Sequence, residues 1–113
     1  MANTFKLKTK ANVDASLVTV YTVPSSTTTV IIGLTIANVK GASITADAQI
    51  VTASSSGENA DDVYVVKDIP LPAGSSVEIM GGNKIILETG DIVKVKGSTT
   101  NCVDSILSIM EIT

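Results

Sequence analysis

The stretch that decides the fold is residues 29–39, which read TVIIGLTIANV. Val30, Ile32, Leu34 and Ile36 occupy one parity of this stretch, and the other parity, which begins with Ile31, is also largely apolar. A β-branched run that is apolar at both parities is typical of a β-strand covered on both sides. The stretch therefore predicts a central strand whose second face needs a covering layer.

Shorter segments of period two lie on both sides of it, separated by turn residues. The predicted strands are residues 4–10, 17–23, 29–39, 43–52, 63–67, 75–80, 84–87, 92–96 and 101–113. In the first of them Phe5 and Leu7 alternate with lysines, which predicts a lysine face in water. Residues 81–83 (GGN) predict a hairpin turn, because Gly and Asn accept positive φ. Residues 101–113 also fit helical spacing, but their β-branched residues favour a strand.

The composition agrees with this pattern, since the 113 residues include 14 Val, 13 Ile and 14 Thr. About nine short strands predict an all-β protein, a single small β-sandwich domain of residues 1–113 with a jelly-roll or immunoglobulin-like arrangement. The predicted core positions are Val30, Ile32, Leu34, Ile36, Ile44, Ile50, Val77, Ile79, Val93 and Val95.

Most chemistry is disfavoured by what the chain lacks. It contains no His, Arg or Trp, only three aromatic residues, and a net charge of −3. Histidine metal sites and histidine-activated nucleophiles need His, and nucleic-acid binding typically uses Arg and aromatic side chains. We therefore expect no enzymatic activity, no cofactor, no small-molecule substrate and no nucleic-acid partner.

Two further groups have an ordinary structural interpretation. A calcium ion could in principle be held by the carboxylates of Glu58, Asp61 and Asp62, with Asp47 or Asp68. Their spacing does not match the known calcium loop, so we interpret these residues as solvated charge and predict no metal site. Cys102 is the only cysteine, so no disulfide can form within the chain. It is predicted to be a small core residue.

The beginning of the chain has no continuous apolar segment, so a signal peptide is not expected. Residues 30–39 are the most apolar, but Gly33, Thr35 and Asn38 interrupt them, and they are too short for a membrane span. The sequence thus predicts a soluble, non-membrane protein.

Only 17% of the residues are charged, which is low for a small monomer with much of its surface in water. In residues 29–39 and 101–113 both parities are apolar, so a two-layer domain would expose one set. We therefore predict self-association into a homo-oligomer. The candidate assembly interface consists of Ile31, Ile106, Met110 and Ile112.

Residues 19–38 read TVYTVPSSTTTVIIGLTIAN, with a YTVP strand end, a Ser/Thr-rich connection and a strand that ends in AN. Together with VKDIPLPAGSS (66–76), LETGDIVKV (87–95) and SIMEI (108–112), this resembles small virion structural proteins of tailed bacteriophages, especially marine and cyanobacterial ones. The resemblance touches most of the chain. It implies a β-sandwich component of the particle, present in many copies on capsid, neck or tail.

The resulting functional hypothesis is a non-enzymatic virion structural protein assembled in the host cytoplasm. The first candidate is a capsid decoration protein that binds itself and other virion proteins. A trimer is the working hypothesis, because decoration proteins often sit on local three-fold axes. A neck, tail or fibre component is the alternative, and a soluble β-sandwich binding module is the third.

Overall fold

The computed structural model describes residues 2–53 and 61–113. Within these residues the chain forms nine β-strands and no helix, which confirms the all-β prediction and the strand interpretation of the last segment. The strands are β1 (Asn3–Val13), β2 (Val18–Thr22), β3 (Thr28–Asn38), β4 (Ile44–Val51), β5 (Val63–Leu71), β6 (Ser76–Glu78), β7 (Ile85–Leu87), β8 (Ile92–Gly97) and β9 (Val103–Ile112). The described ranges include no helix long and apolar enough to cross a membrane.

The strands form a small β-sandwich of two sheets. Sheet A has the order β1-β9-β3-β6, with β7 also paired to β3, and sheet B has the order β2-β8-β4-β5. All the pairings between described strands are antiparallel, and five of them are nested like a long hairpin: β4 with β5, β3 with β6 and with β7, β2 with β8, and β1 with β9. A nested hairpin rolled into two sheets is the jelly-roll arrangement, the first of the two predicted sandwich types.

The core lies between the sheets and follows the predicted alternation in most strands. Six of the ten predicted core positions are buried: Leu34, Ile36, Ile44, Ile50, Val93 and Val95. Val77 and Ile79 are partly buried and pack against this cluster. Cys102 is fully buried, as predicted, and its thiol lies close to Gly97, where a side chain would overlap it.

The N-terminal half of β3 faces the opposite way from the prediction. A β-bulge shifts the β3–β9 register between Ile31 and Gly33, so the parity of buried residues changes at that point. Val30 is only partly buried and Ile32 is 40% exposed, so both are wrong as core positions. Ile31 is fully buried in the core, which corrects its place in the predicted interface.

Strand β1 is also reversed relative to the prediction. Phe5 and Leu7 lie on the outside of sheet A and are 73% and 62% exposed. The lysines lie on the inner side, because Lys6 pairs with the buried Ile109 and Lys8 with the buried Leu107. Since β1 is an edge strand, its lysine side chains can reach past the core to water.

One turn prediction and one strand boundary were wrong. Residues 81–83 do not join a hairpin, because β6 and β7 both pair with β3 and form one edge strand interrupted by residues 79–84. Gly81 and Gly82 do have the positive φ expected of a turn. Strand β5 continues through Pro70 to Leu71, which is tolerated because β5 is an edge strand of sheet B.

Candidate assembly surface

The outer faces of the two sheets differ in chemistry. In the middle of sheet B, Asp47 of β4 lies opposite Lys96 of β8, and Gln49 lies opposite Lys94. Because alternate residues of β4 and β8 form the core, these polar side chains lie on the outer side of sheet B, where Asp47 is itself buried and Gln49, Lys94 and Lys96 are partly exposed. The outward residues of sheet A include eight large apolar side chains beside neutral Thr, Ser and Asn residues. Large apolar side chains are therefore concentrated on one side of the sandwich.

We call the outward apolar side chains of sheet A the apolar face. Its members are Phe5, Leu7, Val30, Ile32, Ile86, Ile106, Met110 and Ile112. The most exposed of them are Phe5 at 73%, Ile86 at 67% and Leu7 at 62%. Large apolar side chains that are exposed together on one surface are typical of an interaction site.

Strand register arranges part of this face in a continuous row. Phe5 of β1 pairs with Met110 of β9, Met110 pairs with Val30 of β3, and Val30 pairs with Ile86 of β7. Directly opposed side chains on neighbouring strands have Cβ atoms about 5 Å apart and touch one another. The row thus crosses sheet A from one edge to the other.

The charged residues on the same face are engaged by backbone groups. Of the outward residues in the strand pairings of sheet A, Asp104 and Glu78 carry charge. Asp104 accepts a hydrogen bond from the Asn12 amide at 2.9 Å. Glu78 accepts from the Leu34 amide at 2.6 Å and from the Gly81 amide at 2.9 Å. Both carboxylates therefore use acceptor positions within their own chain.

Three of the four predicted interface residues lie on the apolar face. Ile106 is 45% exposed, and Met110 and Ile112 are half-buried on the same side of β9. Ile31 pairs with Ile109 and points into the core instead. Whether the three outward residues form a contact between chains stays a prediction.

Sequence reasoning missed the most exposed members of the face, Phe5, Leu7 and Ile86. A period of two shows that β1 has two different faces but does not show which one is inside. A usable signal existed at Ile85 and Ile86, because adjacent residues of one strand point to opposite faces. One of the two isoleucines therefore had to lie on the outer face of its sheet, where it is exposed unless another layer covers it.

A hydrogen-bonded group links the two sheets beneath this face. The Tyr21 hydroxyl of sheet B donates to Glu111 Oε2 of sheet A at 2.6 Å and lies 2.7 Å from Thr29 Oγ1. Glu111 Oε1 pairs with Lys6 Nζ at 2.8 Å. The hydrogen bond from Lys6, followed by that from Tyr21, lowers the pKa of the Glu111 carboxyl. Burial, then the bond to Glu111, raises the pKa of Tyr21 to about 12.

Two of the acidic residues considered as calcium ligands, Asp47 and Asp62, accept hydrogen bonds from backbone amides. The Asp68 amide donates to Asp47 Oδ1 at 2.6 Å, and Asp62 Oδ1 accepts from the Thr52 amide at 3.2 Å. Lys67 Nζ lies 3.9 Å from Asp47 Oδ2. Glu58 lies outside the described residues. In residues 2–53 and 61–113, no group of three or more His, Cys, Asp or Glu side chains is arranged to hold a metal ion.

No protein-family model and no curated protein sequence matches the chain. Among solved structures, it is similar to a Bacillus endospore appendage protein from a family of disulfide-linked pili, with a TM-score of 0.51 and 15% identity over 99% of this chain and 87% of that one. This likeness shows a shared fold. The infectious bursal disease virus VP2 subviral particle gives a TM-score of 0.34 and 10% identity over 96% of this chain and 41% of that one.

Proposed function

We propose that this protein is a non-enzymatic structural component of a bacteriophage virion, a capsid decoration protein of one β-sandwich domain that works as a homo-oligomer. The observation that carries the proposal is the apolar face of sheet A, set against the polar outer face of sheet B. Exposed apolar area favours association, so such a face is unfavourable on a monomer in water. The resemblance of the sequence to small phage virion proteins is the reason for proposing that the assembly is a phage particle.

Two buried acidic side chains already have partners within the chain, which supports a structural role over a catalytic one. Asp91 is buried, with Oδ1 accepting from the Ala53 amide at 2.9 Å and Oδ2 from the Glu88 amide at 2.9 Å. Glu111 is held between Lys6 and Tyr21. A general acid or base needs a free position toward its substrate, whereas these carboxylates fasten turns and join the sheets.

The fold shared with the endospore pilus protein is compatible with repeated assembly, but the means of linkage must differ. That protein belongs to a family described as disulfide-linked. Here Cys102 is the only cysteine and is fully buried. We therefore expect a non-covalent assembly that reducing agents leave intact.

The test is the copy number of this protein in purified particles from its source. A capsid decoration protein should be present in roughly hundreds of copies per particle, whereas a closed neck or baseplate ring holds about ten. Quantitative mass spectrometry against the major capsid protein measures the ratio. A low count would move the protein to the neck or tail. Its absence from purified particles would refute the virion role.

A further inference from the structure

We infer that the apolar face is the self-association surface, and that its occupant is the same face of a second copy of this chain, packed sheet on sheet. The inference rests on the proposed assembly role and specifies its contact. The residues at its centre are the cross-strand row Phe5, Met110, Val30 and Ile86.

The size of the face fits this contact. Sheet A is four strands wide and its central strands β3 and β9 have 11 and 10 residues. At about 4.8 Å between strands and about 3.4 Å per residue, the face covers roughly 650 Å². Two such faces would bury about 1,300 Å² in total, which lies within the range of roughly 1,200–2,000 Å² for stable complexes.

The charge of the face favours an identical partner. The carboxylates of Asp104 and Glu78 accept hydrogen bonds from amides of their own chain, and the other outward residues of the strand pairings are neutral. A nucleic acid or a strongly charged protein would find no complementary charge here. A surface with a row of large apolar side chains and few charges matches another surface of the same kind, and a second copy supplies one.

The other surfaces of the sandwich are poorer sites for self-association. A closed trimer needs each face to meet a different surface of its neighbour. The middle of the outer face of sheet B carries the partly exposed Lys94 and Lys96, which do not match an apolar face. Pairing along the free edge of β1 would bring Lys6, Lys8 and Lys10 of two chains together, and such lysines protect edge strands from pairing.

The experiment compares Phe5→Asp and Ile86→Asp with the control Thr19→Asp. Thr19 is an exposed residue of β2 that lies opposite Lys94 on the outer side of sheet B, so its variant adds the same charge away from the face. By sedimentation, the unmodified full chain should dimerise. Each variant on the face should weaken dimerisation by about 30-fold or more, as residues at the centre of an interface do, while the control leaves it unchanged. Circular dichroism and thermal unfolding should show that all three variants are folded.

A second measurement avoids any effect of charge on folding. Phe5→Cys should give a thiol that reacts rapidly with a maleimide in dilute solution and slowly at concentrations where dimers form. The thiol of Thr19→Cys, on the outer side of sheet B, should react at the same rate throughout, and the buried Cys102 stays common to both.

The outcomes separate this inference from the proposed function. If the protein is abundant in particles but monomeric in solution, or trimeric, or if Phe5→Asp leaves the dimer intact, the proposed role stands and the face-to-face contact is wrong. If the dimer is lost in the variants as expected but the protein is absent from particles, the contact stands and the virion role is wrong.

Discussion

At the scale of single residues, the most informative group is the buried carboxylate of Glu111. It lies on the inner side of the last strand, where a charge needs partners, and it has them in Lys6 and the Tyr21 hydroxyl. These contacts join three strands of both sheets. Because Lys6 is itself 43% exposed, solvent weakens its share of the interaction.

We expect this group to make stability depend on acid pH. The pKa of Glu111 is lowered in the folded protein, so its contribution is fully present above the ordinary pKa of a glutamic acid and is lost as the pH falls through the lowered value. Glu111→Gln should destabilise the protein by about 1–3 kcal/mol at neutral pH, since a charged hydrogen-bond acceptor is replaced by a neutral amide.

Urea unfolding of the unmodified chain and of Glu111→Gln over a series of acid pH values measures this effect. The other carboxyl groups are common to both proteins, so the difference between the two curves isolates Glu111. That difference should shrink toward acid pH. A difference that stays constant would mean that the ion pair does not contribute to stability.

At the scale of elements, the bulge in β3 determines which residues of this strand lie on the apolar face. The register shift lies between Ile31 and Gly33, directly where the Leu34 amide donates to Glu78 Oε2. An ideal Cβ on Gly33 would lie 3.2 Å from the same oxygen, so the carboxylate sits closely over the bulge. The interruption between β6 and β7 starts at this glutamate, which also accepts from the Gly81 amide.

We therefore expect Glu78 to stabilise both irregularities together. Glu78→Ala should cost about 1–3 kcal/mol, because two backbone amides lose their acceptor and the Leu34 amide lies in a partly buried place. Glu78→Gln should cost less, because its amide oxygen can still accept one of the two bonds. Thermal unfolding and amide hydrogen exchange at Leu34 and Gly81 measure this. Equal stability of Glu78→Ala and the unmodified chain would show that the bulge forms without the carboxylate.

The bulge in β3 and the orientation of β1 show how far the sequence determines the fold. Alternation predicted the strands and most of the core, because sandwich strands bury every second residue. It could not place the bulge, because the signal is a glutamate 44 residues away that satisfies one amide. Nor could it orient β1, since Phe5 and Leu7 alternate with lysines that look solvent-exposed but face Glu111 and Tyr21. The candidate surface was therefore only half predicted, from β9 but not from β1 or β7.

At the scale of the whole molecule, the nested pairing of the jelly roll determines how far apart in the sequence two paired strands lie. Strands β4 and β5 are neighbours in sequence, whereas β1 pairs with β9, so Lys6 meets Ile109 from the far end of the chain. Closing a longer loop costs more entropy, and folds rich in such distant contacts fold slowly. The inner hairpin should therefore form before the two chain ends come together.

Matched methyl deletions test this order of folding. Ile50→Val acts on β4, which pairs with β5 and β8, and Ile109→Val acts on β9, which pairs with β1 and β3. Both residues are buried, so each change should cost about 0.5–1.5 kcal/mol. Stopped-flow folding in a Phe5→Asp background keeps self-association out of the rates. Ile50→Val should mainly slow folding, whereas Ile109→Val should mainly speed unfolding. The reverse partition would mean that the two chain ends pair first. The apolar face, five of whose eight members lie on β1 and β9, would then be assembled before the inner hairpin of the sandwich.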